Sequence, residues 1–414
     1  MTKATALFFI SLLPVIVSAQ EKTSAFLEKL LKRRASPALK NILQQPGTFR
    51  YQLIYTKIDR DNNNLPRFTN YYYRVNRNEY FNPASMVKLP TALLALEKLH
   101  ELEQYGVNKY TTMFTDSGYA RQTPVATDKS ASNGLPSVAH YVKKIFLVSD
   151  NDAYNRLYEF VGQRRLNERL WKMGYKDIRI TRRFVTMNED QNRHTNPIRF
   201  VKGDTLLYRQ PPAYNTLEFD FSKQVLIGKA HWNREDSLIN TPMDFTTHNN
   251  FPLEDMQQVL QAALFPASVP AGKRFNLDSA DCRFLYRYMC MLPFESDYPQ
   301  YDTLEYFDSY TKFFMFKAGR GKIPSHIRVF NKTGWSYGFL TDVAYIADFK
   351  NKIEFMVSGV IYVNSDGVLN DNKYEYDEIG YPFFKEVGNI IYQYELKRKR
   401  KFKPVLDKFH FNYE

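Results

Sequence analysis

Strand-forming segments stand at both ends of this chain and helix-forming segments fill its middle, a distribution that restricts the folds open to it. Early on, residues 50–58 and 68–75 are strand-like and flank the turn-forming run Asp59 to Asn64, which predicts a β-hairpin. Late in the chain, residues 327–333, 339–349 and 352–363 read as three more strands, with Asn351 as a turn residue, and residues 381–396 as a closing helix. Two amphipathic helical pieces, 23–34 and 37–44, precede the hairpin. From residue 86 to about 171 the pattern is mostly helical, with loops rich in Ser, Thr and Gly, and helices resume at 253–264 and 277–291. A helical lobe inserted between two groups of strands predicts an α+β fold, with one mainly antiparallel sheet built from N- and C-terminal strands and flanked by helices. Residues 198–249 depart from this plan: apolar and polar residues alternate around Pro211-Pro212, which reads as a β-rich insertion. There is no internal repeat and no interdomain linker.

Composition fits a folded protein, since 414 residues with 44% hydrophobic content can bury one large core or two moderate ones. Residues 1–19 have the pattern of a signal peptide: Lys3, an apolar run, then Val17-Ser18-Ala19 ahead of Gln20. The apolar run is short for a membrane span, and no cysteine follows that could carry a lipid. The mature protein is therefore expected outside the cytoplasm, periplasmic or extracellular, with an uncleaved anchor as the alternative. Its main domain is expected over 20–396. Cys282 and Cys290 fall in one predicted helix, about 12 Å apart along its axis, too far for a disulfide. The seven histidines form no metal-ligand spacing, so neither a metal nor a cofactor is assigned. Net charge is +13, and the run Lys397-Arg398-Lys399-Arg400-Lys401 opens a basic C-terminal tail, 397–414. Export argues against nucleic acid as its partner. Two readings of the tail stay open, contact with anionic envelope polymers or headgroups and a solvated tail.

Three short motifs carry the chemistry. Ser85-Met86-Val87-Lys88 precedes a run of helix formers, which puts the serine hydroxyl and the lysine amine on one helix face. A serine becomes a useful nucleophile when a neighbouring base takes its proton, and a lysine can be that base if burial lowers its pKa. The signal is weak alone, because Ser309-Tyr310-Thr311-Lys312 has the same spacing. Ser149-Asp150-Asn151, at the join of two helical segments, and Lys332-Thr333-Gly334, at the end of a late strand, each occur once. The three together, in this order, are far more specific than any one, and Ser309 is set aside because it lies after Ser149.

In this order the motifs resemble those of the penicillin-recognising serine hydrolases, in particular the class A β-lactamases and their penicillin-binding relatives. The similarity extends over Pro83 to Lys88, Ser149 to Asn155 and Lys332 to Trp335, and covers about 22–197 and 250–396. It implies that Ser85 attacks a strained or D-amino-acid-derived amide and forms an acyl-enzyme, with Lys88 helping to take its proton. Ser149 is implied to relay a proton to the leaving nitrogen and Asn151 to bind the substrate's side-chain amide. Lys332 and Thr333 are implied to hold its carboxylate, while the backbone N–H groups of Ser85 and Trp335, next to Gly334, form an oxyanion hole. The expected partner is a small-molecule substrate, a β-lactam or a peptidoglycan-like D-amino-acid amide.

One family feature is missing. The loop that carries the deacylating glutamate in class A enzymes aligns here with Arg183-Phe184-Val185-Thr186-Met187-Asn188-Glu189, which puts Phe184 where the glutamate should be. His194 also replaces an aspartate that usually follows the loop's arginine, leaving the loop's internal ion pair unassigned. Glu189 or Asp190, with Asn188, are the candidates for deacylation through a shifted loop. The leading expectation is an exported serine hydrolase of class A β-lactamase type. The alternatives are a D-alanyl-D-alanine carboxypeptidase, esterase or penicillin-binding protein with slow β-lactam turnover, and a non-enzymatic envelope sensor.

Overall fold

The computed structural model describes residues 21–412; the expected signal peptide lies outside them. Five strands form the central sheet: β1 (Gln52–Arg60), β2 (Pro66–Tyr73), β3 (Ile327–Ser336), β4 (Phe339–Asp348) and β5 (Ile353–Tyr362). Their order is β3-β4-β5-β1-β2, and every neighbouring pair is antiparallel. The two ends of the chain meet where β1 pairs with β5, with Leu53 opposite Gly359. This is the α+β sheet expected from the two strand groups. β4 and β5 are buried along their whole length because both faces are covered, which is why they read as near-continuous apolar runs. On β4, Ala344 and Ile346 join a core with α1 (Ala25–Arg34) and the C-terminal helix. Val343, Tyr345 and Ala347 face the other way, into the core of the helical lobe, as the period of two requires.

At the centre of that lobe is α2 (Lys88–Leu99), with every residue except Lys98 buried. Pro90 is tolerated because it falls in the first turn, where its missing N–H costs nothing. Against α2 pack α3 (Val138–Val148) and α4 (Asn151–Val161). The helical reading of 86–171 needs one correction, since Thr112–Thr115 is a strand. It pairs with Ile198–Lys202, which pairs in turn with Thr205–Gln210, so the first part of the insertion completes a small sheet on the lobe. Further on, Ala230–Trp232 pairs with Leu238–Ile239 and, in parallel, with Val368–Leu369. The insertion is thereby tied to the segment that follows β5. Cys282 and Cys290 are free thiols, both on the helix Ser279–Cys290.

The C-terminal helix, α5 (Tyr381–Lys397), runs into the basic segment, and the solvated-tail reading fails there. Arg398 donates to Glu395 at 2.9 Å and to Ile58 O at 2.9 Å, and Arg400 donates to the Glu395 carbonyl at 2.7 Å. Farther along, Leu406 and Phe409 are buried, with Phe409 packed on Phe330 and Tyr345. Lys397, Lys399 and Lys401 are all exposed, whereas Arg398 and Arg400 are half-buried. An extended segment turns alternate residues to opposite sides, so the arginines of the run face the protein and the lysines face away from it.

Candidate active site

Ser85 lies in a short 3-10 turn, Ala84–Val87, that leads directly into α2. Ala84 has φ 45°, a left-handed conformation that is costly for a residue with a Cβ. Two bonds hold the turn: Asn82 Oδ1 accepts from the Ala84 N–H at 2.8 Å, and Pro83 O accepts from the Met86 N–H at 2.9 Å. Strand β3 abuts this turn at Gly334, where a Cβ would lie 2.6 Å from Pro83 O and 3.0 Å from Ser85 N. Only a residue without a side chain permits that approach. The close contact brings the Ser85 amide beside the backbone of Gly334, one residue before Trp335, whose N–H is the other expected member of an oxyanion hole. The motif lies within the strand rather than at its end, since β3 continues to Ser336.

Lys88 begins α2 behind Ser85 and is fully buried. Its Nζ donates to Ser149 O at 2.5 Å and to Asn151 Oδ1 at 2.6 Å, and lies 3.4 Å from Ser149 Oγ. Burial pushes its pKa down to about 7, opposed by the Asp150 carboxylate. Near neutral pH about half of it therefore carries the lone pair that a general base needs.

The Ser149-Asp150-Asn151 motif combines a structural and a chemical task. Asp150 is the N-cap of α4, its side chain accepting from the Ala153 N–H at 2.7 Å. Ser149 ends α3 in a left-handed conformation, φ 62°, which turns its hydroxyl toward both lysines. Lys332 Nζ donates to Ser149 Oγ at 2.8 Å and to Thr333 O at 2.7 Å. Its pKa is held well below the usual lysine value, first by burial and then by the charge of Lys88. Thr333 is fully buried, and its hydroxyl has no hydrogen-bond partner among the described residues.

A loop from 181 to 196 closes the third side. Arg183 is fully buried and pairs with Glu159 on α4 at 3.0 Å; it also donates to His194 O at 2.7 Å and Gln191 O at 3.2 Å. Glu159 thus supplies the ion pair left unassigned by the missing aspartate. The Phe184 N–H donates to Asn155 Oδ1 at 2.8 Å, and the Phe184 ring centroid lies 5.0 Å from Lys88 Nζ. Phe184 is therefore the residue the loop turns onto the lysine. The placing of Glu189 and Asn188 at the site does not match the structure. Asn188 caps the helix Glu189–Arg193, Glu189 pairs with Arg193 at 2.9 Å, and Asp190 accepts from the Tyr119 hydroxyl at 2.6 Å. All three side chains are exposed, drawn outward by the charge partners of that short helix.

These elements surround a cavity of about 920 Å³, lined by Ser85, Ser149, Asn151, Phe184 and Trp335 among others. Lys88 and Lys332 lie behind Ser149, within reach of its atoms. The second Ser-x-x-Lys is structural in placement: Ser309 is fully buried, and Lys312 donates to Met289 O and Asn331 Oδ1 at 2.6 and 2.7 Å. Elsewhere His100, Asp278 and Asp281 bring ligand atoms within 4.8 Å of one another, but Asp281 is already paired with Lys109 and His100. The far wall of the cavity lies outside the three sequence motifs. It comes from Arg182, from Arg234 and His248 of the insertion, and from Tyr337 and Tyr374; no short-range pattern marks these residues.

A serine at the cavity and two buried lysines behind Ser149 thus gather between an antiparallel sheet and a helical lobe. Residues 34–212, under half of the chain, match the family described as "Beta-lactamase enzyme family". Among solved structures the chain is similar to a β-lactamase from Xanthomonas campestris pv. campestris, at 16% identity and TM-score 0.49, covering 88% of this chain and 97% of that one. A β-lactamase from Sphaerobacter thermophilus matches at 13% identity and TM-score 0.45, covering 86% and 96%. A point mutant of PBP-A, in an acyl-enzyme complex with penicillin G, matches at 12% identity and TM-score 0.47, covering 89% and 96%. No curated protein matches the chain.

Proposed function

We propose that this protein is an exported hydrolase of class A β-lactamase type that forms an acyl-enzyme on Ser85 with β-lactams or related D-amino-acid amides. The observation that carries the reading is Lys88, buried with a pKa of about 7 and fixed between Ser149 and Asn151. Ser85 Oγ attacks the amide carbonyl and its proton passes to Lys88. The tetrahedral intermediate collapses with cleavage of the C–N bond, and Ser149 gives its proton to the leaving nitrogen. The backbone amides at Ser85 and Trp335 stabilise the oxyanion.

Phe184 favours a second reading of the step that follows. A phenyl ring over Lys88 cannot activate water, and Asp150, the one carboxylate lining the cavity among the described residues, is occupied in capping α4. On this reading the acyl-enzyme is long-lived, and the natural reaction is that of a penicillin-binding carboxypeptidase or transferase. One experiment separates the two: a chromogenic cephalosporin is added to the mature protein, and colour and intact mass are followed together. Continuous turnover that Ser85→Ala abolishes supports the β-lactamase. A single burst with a stable adduct at Ser85 supports slow deacylation. Neither colour nor adduct would remove the acyl-enzyme reading.

A further inference from the structure

The far wall of the cavity carries positive charge that the protein does not balance. Three arginines line it: Arg182, Arg183 and Arg234. Arg183 is neutralised by Glu159. Arg182 has no carboxylate partner among the described residues. Its one side-chain hydrogen bond there is from Nη1 to His248 Nε2 at 2.9 Å, and that imidazole brings no charge, because burial and Arg182 itself hold its pKa at about 3. A neutral His248 accepting at Nε2 must carry its proton on Nδ1, so it orients the guanidinium without satisfying it. Among the described residues, Arg182 Nε and Nη2 have no acceptor beside the cavity. Burial and the nearby Arg234 both push the Arg182 pKa down, as expected for a cation held without a counter-charge.

The position is built rather than incidental. Arg179 and Asn250 form a backbone bridge, the Thr181 N–H donates to Asn249 Oδ1 at 2.8 Å and the Thr181 hydroxyl to Thr247 O at 3.0 Å. These bonds lock the segment bearing Arg182 to the end of the insertion bearing His248. The same insertion delivers Arg234 at the tip between Ala230–Trp232 and Leu238–Ile239, which the parallel pairing with Val368–Leu369 anchors. The His248 ring lies 6.4 Å from the ring of Tyr337, just past the end of β3. Lys332 is five residues earlier on that strand, about 17 Å along an extended chain. Lys332 thus lies midway along β3, and His248, which holds Arg182, lies by the strand's C-terminal end.

We propose that Arg182, assisted by Arg234, forms a subsite for a carboxylate carried on the acyl side of the substrate, so that the preferred substrates are dianionic. This rests on the acyl-enzyme reading of Ser85. A guanidinium with Nε and Nη2 both free to donate presents the fork that suits a carboxylate, and the inserted segment supplies both His248, which orients it, and Arg234.

Benzylpenicillin and carbenicillin differ by one carboxylate on the acyl side chain and form a matched pair. Intact-mass kinetics of Ser85 acylation should show carbenicillin favoured by about tenfold in dilute buffer, the factor expected from one charge-assisted contact. Arg182→Gln should bring that ratio to about one, Arg234→Ala should lower it partway, and raised salt should erode it in the wild type. A wild-type ratio of one or below, or an Arg182→Gln variant that slows both drugs equally, overturns the subsite. If neither drug acylates Ser85, the acyl-enzyme reading fails, and the subsite is then decided by thermal shift. Phenylmalonate should raise the melting temperature more than phenylacetate does, and only while Arg182 is present; equal shifts overturn it.

Discussion

Gly334 is where the geometry makes the sharpest demand. An alanine there would place its Cβ 2.6 Å from Pro83 O, 3.0 Å from Ser85 N and 3.2 Å from Met86 N. All three are backbone atoms of the turn that holds the nucleophile, so no side chain can swing aside. Restoring an ordinary 3.4 Å contact to Pro83 O requires β3 and the turn to part by about 0.8 Å. Overpacking of this kind costs about 1–3 kcal/mol of stability, which the protein can survive. The chemical cost is larger, because the same shift moves the Ser85 amide away from the β3 backbone at Gly334, and a displacement near 1 Å in a reacting site costs about 10²-fold in rate. The assay is the second-order rate of Ser85 acylation by a penicillin, read by intact mass, beside a urea melt of the same variant. Gly334→Ala should remain folded and acylate about 10²-fold more slowly. A folded variant that acylates within about threefold of wild type would refute the claim that this contact positions the site.

The Lys88 pKa sets a pH dependence. Because burial lowers it to about 7, the base form grows as pH rises through that value, and the acylation rate should climb about tenfold from pH 6 to pH 8; a flat profile would exclude Lys88 as the base. Phe184→Glu puts a carboxylate where the ring now faces Lys88 at 5.0 Å. It should speed decay of the acyl-enzyme by about 10²-fold or more and, by pairing with Lys88, move the acylation midpoint to higher pH; stopped-flow mass measurements read both, and unchanged decay counts against the placement of the loop. Glu159→Gln leaves the buried Arg183 without a counter-charge and should cost about 3–5 kcal/mol in urea unfolding, with new protease cuts between 183 and 195; a loss under about 1 kcal/mol would contradict the role of this pair as the loop's anchor. In the basic run, Arg398→Ala with Arg400→Ala strands the buried Glu395 and should lower the melting temperature clearly, whereas Lys397→Ala with Lys399→Ala should change stability by under about 0.5 kcal/mol; equal effects would contradict the alternation.

Much of this arrangement was legible because its signals are local. The hairpin, the late strands and the order of the three motifs depend on patterns a few residues long, and sheet and site follow from them. The partners that failed to show are those chosen by packing between distant segments. Nothing near Arg183 in the sequence indicates Glu159, which reaches it from one face of α4. Thr112–Thr115 has too few residues to declare itself a strand until Ile198–Lys202 arrives beside it. Glu189 looked like a candidate base because of its neighbours in sequence, yet the capping box set by Asn188 and Gln191 turns that helical turn outward. The basic run is a different case. Its alternation of lysine and arginine was visible, and only the burial of Glu395 shows that the alternation separates an inner face from an outer one.

The two lysines also explain each other. Both are buried, and both have lowered pKa values, so the cost of a second ammonium in the same dry space falls on whichever amine is harder to charge. Ser149 stands between them, accepting from Lys332 at 2.8 Å and lying 3.4 Å from Lys88. Its own proton is free to be given away, and its oxygen has a donor ready to replace it. On the proposed acyl-enzyme reading, a single charged lysine with a single neutral one would give the site an acid and a base at once, joined by a hydroxyl, the two groups needed to take a proton from Ser85 and deliver one to a leaving nitrogen. The carboxylate that would perform deacylation in a class A enzyme would also pair with Lys88 and hold it charged. On the proposed acyl-enzyme reading, Phe184 in that place leaves the lowered pKa of Lys88 without a carboxylate to raise it, which favours acylation, and the step that would need a second base loses it.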